Sequence, residues 1–147
     1  MKIKIKKTHR DARLPSYIRP GDSAMDLYAC LDGPIKIPPG ERRIIQCGVA
    51  VELPPGYGML IVPRSGLSVK HGVTVHNAPG LVDSNYRGEI RVIIHNEMRT
   101  FNESFEVFHG ARIAQALVLP IPSIEWDEVD ILSESSRGDK GFGSSGV

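Results

Sequence analysis

The sequence predicts an all-β domain with a jelly-roll or β-sandwich architecture. Its 11 prolines and 15 glycines are spread along most of the 147 residues, which leaves little room for long helices. Short alternating or β-branched runs recur along the chain, and turn-forming clusters of proline, glycine and aspartate separate them. Short strands at this spacing are typical of jelly rolls and sandwiches rather than of a parallel α/β sheet.

The predicted strands are short runs in which apolar or β-branched residues dominate or alternate with polar ones. In chain order they are Lys2–Lys6, Ala24–Ala29, Arg43–Glu52, Gly58–Val62, Val73–His76, Glu89–Ile94 and Ile113–Leu119. One short helix is predicted over Ser65–His71, with Ser65 as its N-cap because a serine hydroxyl can accept a hydrogen bond from the first helical turn.

Length and composition indicate one globular domain and exclude several classes of protein. The hydrophobic fraction is 41% and the charged fraction is 24%, as in ordinary globular proteins. No apolar run approaches the roughly 20 residues that span a bilayer, and the lysine-rich start lacks the apolar core of a secretory signal. With 18 Lys and Arg against 17 Asp and Glu, no basic field points to nucleic acid. Cys30 and Cys47 form neither a disulfide framework nor a zinc site, so a reduced cytoplasmic protein that is not secreted is predicted.

The last fifteen residues, Ser133–Val147, differ from the rest of the chain. They contain one aromatic residue, Phe142, and little else to bury, so they cannot offset their own ordering entropy. We therefore predict a β domain over residues 1–132 and a mobile arm over residues 133–147. Glycine, Arg137 and Lys140 around one aromatic ring also suit a clamp for phosphate and a base, so a disordered end and a clamp both remain open.

Two turns carry candidate chemistry. Pro63–Gly66 follows an apolar strand and opens the predicted helix, so it is either an anion site or an ordinary strand-to-helix turn. Asn77–Gly88 is turn-rich and predicts a long hairpin that presents polar groups and one ring. Asp83 in this hairpin is either a general base or the carboxylate of an Asx turn. Tyr86 alternatively is a half-buried cross-strand aromatic.

Two polar residues stand alone within apolar strands. Gln115 interrupts the run from Ile113 to Leu119, and a buried amide needs a partner from a ligand or a neighbouring loop. Asp26 lies within the strand Ala24–Ala29, and a buried carboxylate is costly unless it is paired. An ion pair with an arginine and a direct functional role are both consistent with Asp26.

These five segments, in this order and spacing, resemble the five motifs of the trimeric dUTPase family. The match runs from Ser23 to Gly146, and the tail sequence RGDKGFGSSG is especially similar to the last motif. The first motif here reads Ala24-Met25-Asp26-Leu27, where many relatives have Ala-Gly-Leu-Asp-Leu. Together the five motifs are specific, although each one alone is modest.

The resemblance implies a Mg²⁺-dependent enzyme that hydrolyses dUTP to dUMP and pyrophosphate. Water would attack the α-phosphate, and Asp83 resembles the base that orients and activates this water. The residues that resemble the family's substrate-binding groups are Arg64, Ser65, Gly66 and Gln115 for phosphates, Asn77, Gly80, Leu81 and Val82 for uracil, Tyr86 for deoxyribose, and Arg137, Phe142, Gly143 and Ser144 in a closing arm. Asp26 would support the site.

The resemblance also implies a homotrimer with each active site at a subunit interface. Mg²⁺ would be held mainly by the triphosphate and waters, because the sequence contains no dedicated cluster of metal ligands. No nucleic acid or membrane partner is expected, and the site of action is the cytoplasm or the compartment where nucleotides are metabolised.

Two alternatives remain open at this point. One is a dCTP deaminase, or a bifunctional deaminase and pyrophosphatase, which uses a strand glutamate after the hairpin. The segment Ile90–Ile94 contains no glutamate, which counts against deamination. The other is a nucleotide sensor or regulatory partner protein on the same scaffold, for which an intact Asp83 and arm would not be required.

Overall fold

The computed structural model describes residues 1–98 and 104–140, and it confirms an all-β fold with one short helix. The elements are β1 (Lys4–Lys7), β2 (Met25–Tyr28), β3 (Ile35–Ile37), β4 (Arg42–Gln46), β5 (Val49–Glu52), β6 (Tyr57–Val62), α1 (Ser65–His71), β7 (Val73–Val75), β8 (Gly80–Val82), β9 (Arg91–Asn96), β10 (Phe105–Val107) and β11 (Arg112–Pro120). The helix lies over the predicted residues.

Two larger antiparallel sheets enclose the core. One has the strand order β2-β11-β6-β8 and the other has the order β4-β9-β7, while β1 pairs with β5 and β10 pairs with β3. Buried side chains from both larger sheets, among them Leu27 and Ala114 from the first and Ile45 and Val92 from the second, belong to one hydrophobic cluster. The two sheets therefore face each other across a single core, as in a sandwich.

Alternation along β2 and β11 leaves polar residues on the outer face of the first sheet. Leu27, Ala114 and Ala116 point into the core, while Asp26 and Gln115 are in register on the opposite face. Successive side chains of a strand point to opposite faces, so this placement follows from the one polar residue in each apolar run.

Several details differ from the sequence prediction. The run Arg43–Glu52 is two strands, because the chain turns at Cys47-Gly48. Three strands of three residues, β3, β8 and β10, were not predicted, since three residues are too few to show alternation. Ser65 is not the N-cap: Arg64 occupies that position and makes no side-chain capping hydrogen bond, and Ser65 is the first helical residue.

The chain beyond β11 leaves the sheets. Residues 121–140 have no strand or helix and are exposed, including large apolar side chains such as Ile124, Trp126 and Ile131. The division into a β domain over residues 1–132 and an arm over residues 133–147 stays a prediction. Within the described residues, no helix is long and apolar enough to cross a membrane.

Gly48 makes the turn between β4 and β5 possible. Its φ is +66°, and a Cβ there would lie 2.7 Å from both Ala12 Cβ and Cys30 Sγ. We expect Gly48→Ala to lower the free energy of unfolding by about 2–4 kcal/mol, because left-handed strain and overpacking add. Urea unfolding at fixed protein concentration measures this.

Gly40→Ala is the matched control for this substitution. Gly40 has a similar φ of +76°, but a Cβ there would meet nothing within 4 Å. Only the conformational cost of about 1 kcal/mol should remain. Equal losses for the two variants would show that crowding around Gly48 does not matter.

Candidate functional site

Three predicted site residues meet at one place on the outer face of the first sheet. Gln115 on β11 lies opposite Asp26 on β2 on one side and opposite Val62 on β6 on the other. Arg64 follows two residues after Val62, where β6 has ended and α1 begins. The sheet register therefore brings together residues from the first, second and fourth motif-like segments.

Asp26 is the centre of this group. Its carboxylate is buried, with 2% of the side chain exposed. Oδ1 accepts hydrogen bonds from Arg64 Nε and Gln115 Nε2, and Oδ2 accepts one from Arg112 Nη1, each at 3.2 Å. A carboxylate removed from water is stable only when its oxygens are paired, and here two cations and one amide pair them.

These contacts decide two of the alternatives that the sequence left open. Asp26 forms the predicted ion pair with an arginine, and in fact with both Arg64 and Arg112. Gln115 bonds a neighbouring strand through Asp26. Arg64 is held a second time, because its Nη1 donates to the backbone carbonyl of Arg112 at 3.2 Å. The orientations of the Arg64 guanidinium and the Gln115 amide are therefore set by the protein.

Arg112 is a site residue that sequence reasoning did not single out. In a regular strand, residues 112 and 115 point to opposite faces, because the side-chain period is two. The pairing of β11 with β2 shifts register between Arg112 and Ala114, so one irregular step lies between them. Such a bulge re-aims a side chain, and Arg112 thereby reaches the same carboxylate as Gln115.

A cavity of about 520 Å³ opens beside this group. Three arginines line it, Arg19, Arg64 and Arg112, together with Gln115 and the carboxylates of Asp22 and Asp26. Asp22 accepts hydrogen bonds from the backbone of Ile18 and Arg19, so it shapes its own loop. Guanidinium groups suit the planar oxygens of carboxylate and phosphate, so this cavity is suited to a polyanion.

The predicted hairpin surrounds a second cavity of about 350 Å³. All six of its candidate residues line this cavity: Asn77, Gly80, Leu81, Val82, Asp83 and Tyr86. Apolar side chains from neighbouring strands complete the lining, among them Ile61, Val75 and Val92. Glu89 and Arg91 also line it, so the cavity mixes apolar walls with charged and hydrogen-bonding groups, as small-molecule sites do.

Asp83 sits where the chain turns after β8. Its backbone carbonyl accepts a hydrogen bond from Tyr86 N at 3.1 Å, which closes the turn. Its side chain is exposed and makes no hydrogen bond or ion pair to any described residue, so the Asx-turn interpretation is wrong. Tyr86 lies outside the strands, and 39% of it is exposed, so it is not a cross-strand aromatic.

The two cavities share no lining residue. The first contains Asp26, Arg64 and Gln115, and the second contains the hairpin. Ser65 and Gly66 are exposed at the start of α1 and line neither cavity.

The arm candidates lie elsewhere or outside the described chain. Arg137 is exposed, and its Nε donates to the Lys140 carbonyl at 2.8 Å. The other arm candidates, Phe142, Gly143 and Ser144, lie outside the described residues.

Both cysteine thiols are buried, and their pKa values are raised. Burial raises the pKa of the Cys47 thiol to about 12, and it also raises the pKa of Cys30, with Glu89 adding to both shifts. A thiol that stays protonated is a poor nucleophile, which agrees with the predicted packing role. Across residues 1–98 and 104–140, no three His, Cys, Asp or Glu side chains cluster as a metal site.

Comparison with known proteins gives a consistent result. A family model described as dUTPase matches residues 10–146. The deoxyuridine 5'-triphosphate nucleotidohydrolase of Gloeothece citriformis is 47% identical over 147 residues, which cover 100% of this chain and 98% of that protein. The protein of the same name from Nautilia profundicola is 47% identical over 146 residues, with 99% of each covered.

Solved structures agree with the fold. A mutant dUTPase of Staphylococcus bacteriophage 80alpha with dUpNHpp has a TM-score of 0.89 at 29% identity, and the match covers 99% of both chains. A mutant dUTPase from phage phi11 of S. aureus, reported with a structural Mg(II) ion, has a TM-score of 0.82. At 22% identity, with 91% of this chain and 100% of that one covered, it supports the fold alone. The predicted jelly roll is thereby confirmed.

The buried carboxylate predicts a specific loss of stability. Asp26→Asn keeps the shape and one acceptor but leaves Arg64 and Arg112 without their counter-charge. We expect the free energy of unfolding to fall by about 1–3 kcal/mol, less than the roughly 3–5 kcal/mol of a fully buried pair, because both arginines are partly exposed. Asp22→Asn in the same cavity should change it by less than about 0.5 kcal/mol. Similar losses in the two variants would contradict a central role for Asp26.

Proposed function

The chain belongs to the dUTPase family and is a dUTP diphosphatase, and on this basis we propose that Asp83 activates the water that attacks the α-phosphate of dUTP. The observation that carries this proposal is the free state of the Asp83 carboxylate among the described residues, at the edge of the hairpin cavity. A general base needs an unoccupied lone pair within reach of water and substrate. Asp26 is buried and already accepts three hydrogen bonds, so it is unsuited to that role.

Recognition of uracil rests on the free edge of β8. This strand pairs only with β6 and stands last in its sheet among the described strands. The outer edge of such a strand presents backbone N–H and C=O groups in fixed positions. Gly80, Leu81 and Val82 provide this edge, and Asn77 lies beside Gly80, whose added Cβ would be 3.2 Å from Asn77 Nδ2. Uracil and cytosine differ in hydrogen-bond polarity along one edge, so fixed partners discriminate between them.

Recognition of the sugar is assigned to Tyr86. Its ring lines the same cavity as Asp83, next to the proposed base-reading strand. A ring packed under deoxyribose would leave no space for a 2′-hydroxyl, which accounts for selection against UTP. The Tyr86 hydroxyl is hydrogen-bonded to the Glu89 carbonyl, which holds the ring in place. A ring held in this way would clash with the 2′-hydroxyl of a ribonucleotide.

The triphosphate is assigned to the arginine-lined cavity. Arg64 and Gln115 face it in orientations held by Asp26, which therefore supports the site without touching substrate. Ser65 and Gly66, exposed in the first turn of α1, would complete the phosphate-binding segment. Donors that are oriented before the substrate arrives stabilise developing charge with little reorganisation.

A complete site requires two or more chains. The base-side and phosphate-side residues of one chain line separate cavities, which supports sites between subunits, as in the homotrimer that the family resemblance implies. The exposed apolar side chains after β11, such as Trp126 and Leu132, supply surface for such an assembly. Arg137, Phe142, Gly143 and Ser144 would then close over the nucleotide, exclude water and complete the site.

Magnesium is assigned to the substrate rather than to the protein. The described residues contain no ligand cluster, and the carboxylate oxygens of Asp26 are taken by cations and an amide. These residues are therefore consistent with a Mg²⁺ ion that keeps several waters and is bound by phosphate oxygens of the substrate. When bound, Mg²⁺ would neutralise charge on the triphosphate. A cytoplasmic site of action accords with the free thiols of Cys30 and Cys47.

Asp83→Asn should separate chemistry from binding. We expect kcat for dUTP to fall by about 10²–10⁴-fold, since an amide cannot take the proton, while the dUTP dissociation constant changes by less than about threefold. Pyrophosphate release and isothermal titration with the non-hydrolysable analogue dUpNHpp measure the two quantities.

Asp32→Asn is the control, because Asp32 is a fully exposed carboxylate outside both cavities. Its kinetics should match those of the unmodified enzyme. Retained turnover in Asp83→Asn would remove Asp83 from the role of base.

A further inference from the structure

The Tyr86 ring lies directly against the backbone of Gly88. A Cβ built on Gly88 would overlap the Tyr86 hydroxyl oxygen, and it would lie 2.6 Å from Cζ and 3.0 Å from Cε2 of the same ring. Gly88 is not among the residues with positive φ, so any residue could adopt its backbone conformation. A side chain at position 88 would therefore displace the ring, because the ring occupies the space that a Cβ would fill.

The next residue holds the ring at its far end. The Tyr86 hydroxyl donates a hydrogen bond to the backbone carbonyl of Glu89 at 3.0 Å. The ring is thus fixed by contact with Gly88 and by one directional bond to Glu89. Arg87 makes different contacts, since its Nη1 bonds the carbonyls of Ser84 and Tyr86 within the turn and leaves the ring untouched.

The Glu89 side chain ties this part of the hairpin to the core. Its Oε1 accepts a hydrogen bond from Gly48 N at 2.7 Å. Gly48 is itself packed tightly between Ala12 and Cys30, so it is a rigid anchor. Charge on the acceptor strengthens such a bond relative to a neutral one.

Backbone bonds continue the connection beside Glu89. Cys47 N donates to the Ile90 carbonyl at 3.1 Å, and Ile90 N donates to the Val49 carbonyl at 2.8 Å. The end of the hairpin is therefore joined to the β4–β5 turn by three hydrogen bonds, of which the Glu89 carboxylate supplies the only side-chain one among the described residues.

We propose that Gly88 and Glu89 form a positioning clasp that fixes the Tyr86 ring and so sets the discrimination between deoxyribonucleotide and ribonucleotide. Glu89 is a positioning residue. Its carboxylate accepts a hydrogen bond from Gly48 in the β4–β5 turn, and its backbone carbonyl accepts one from the Tyr86 hydroxyl. Gly88 determines specificity through the space it leaves. This inference rests on the proposed packing of Tyr86 under the sugar.

The kinetic test compares pyrophosphate release from dUTP and UTP. Gly88→Ala and Glu89→Ala should each reduce the ratio of kcat/KM for dUTP to that for UTP by roughly tenfold or more, mainly through a higher kcat/KM for UTP, because a displaced ring no longer excludes the 2′-hydroxyl. Glu89→Gln keeps an oxygen that can accept the Gly48 hydrogen bond, so its ratio should be close to that of the unmodified enzyme. Arg87→Ala is the matched control in the same turn, and its ratio should stay unchanged.

A second measurement, by NMR, reports the position of the Tyr86 ring without nucleotide and so tests the clasp independently of substrate binding. The ring ¹³C–¹H signal of Tyr86 in nucleotide-free protein should shift or broaden in Gly88→Ala and Glu89→Ala, and should stay in place in Glu89→Gln and Arg87→Ala. Tyr86→Ala is the reference for the sugar role. If it leaves the dUTP-to-UTP ratio intact, the proposed sugar contact fails, and the specificity half of this inference fails with it.

Two results would overturn the clasp itself. One is an unchanged Tyr86 signal in both Gly88→Ala and Glu89→Ala, with both proteins folded by circular dichroism. The other is an equal loss of discrimination in Arg87→Ala, which would mean that any change in the turn has the same effect. A shifted signal together with a lowered ratio supports the proposal.

Discussion

The buried carboxylate of Asp26 is the interaction on which the rest of the site depends. It lies on the sheet face that points away from the core, yet it is buried, so an unpaired charge there would be costly. Donors from three other residues pair it. Those donors arrive from β11 and from the end of β6, so one carboxylate links three strands. The hydrogen bonds that pair the Asp26 carboxylate also orient the Arg64 guanidinium and the Gln115 amide, which line the arginine-rich cavity.

The same sheet that carries Asp26 ends in β8, the strand that we propose reads the base. The order β2-β11-β6-β8 places Asp26 on one edge strand, Gln115 and Arg64 on or after the two central strands, and the hairpin strand β8 on the other edge. One chain therefore carries both groups of candidate residues on the same sheet, but in two cavities. An assembly that sets the hairpin of one chain against the arginines of another joins the two halves without any change of fold. Symmetric association of identical chains generates such composite sites repeatedly.

Much of this arrangement could be predicted from the sequence, and the exceptions have physical causes. The helix, the strands holding Asp26 and Gln115 and the hairpin residues around Asp83 were all predicted, because each depends on local pattern. Arg112 was not predicted as part of the site, because a register shift in β11 reverses the face that simple alternation assigns to it. The break at Gly48 depends on crowding by Ala12 and Cys30, which are distant in sequence. The pairing of Glu89 with the Gly48 amide likewise depends on the folded chain.

Mixing two inactive variants tests the central claim that each active site is shared between chains. Asp83→Asn lacks the proposed base, and Arg64→Ala lacks a phosphate-facing cation, so each homotrimer alone should be inactive toward dUTP. After joint unfolding and refolding in equal amounts, random assembly should give roughly one quarter of the sites both intact residues and a corresponding fraction of activity. Recovery near that level supports a shared site. No recovery, from mixed trimers shown by mass spectrometry to have formed, would mean that Asp83 and Arg64 act within the same chain.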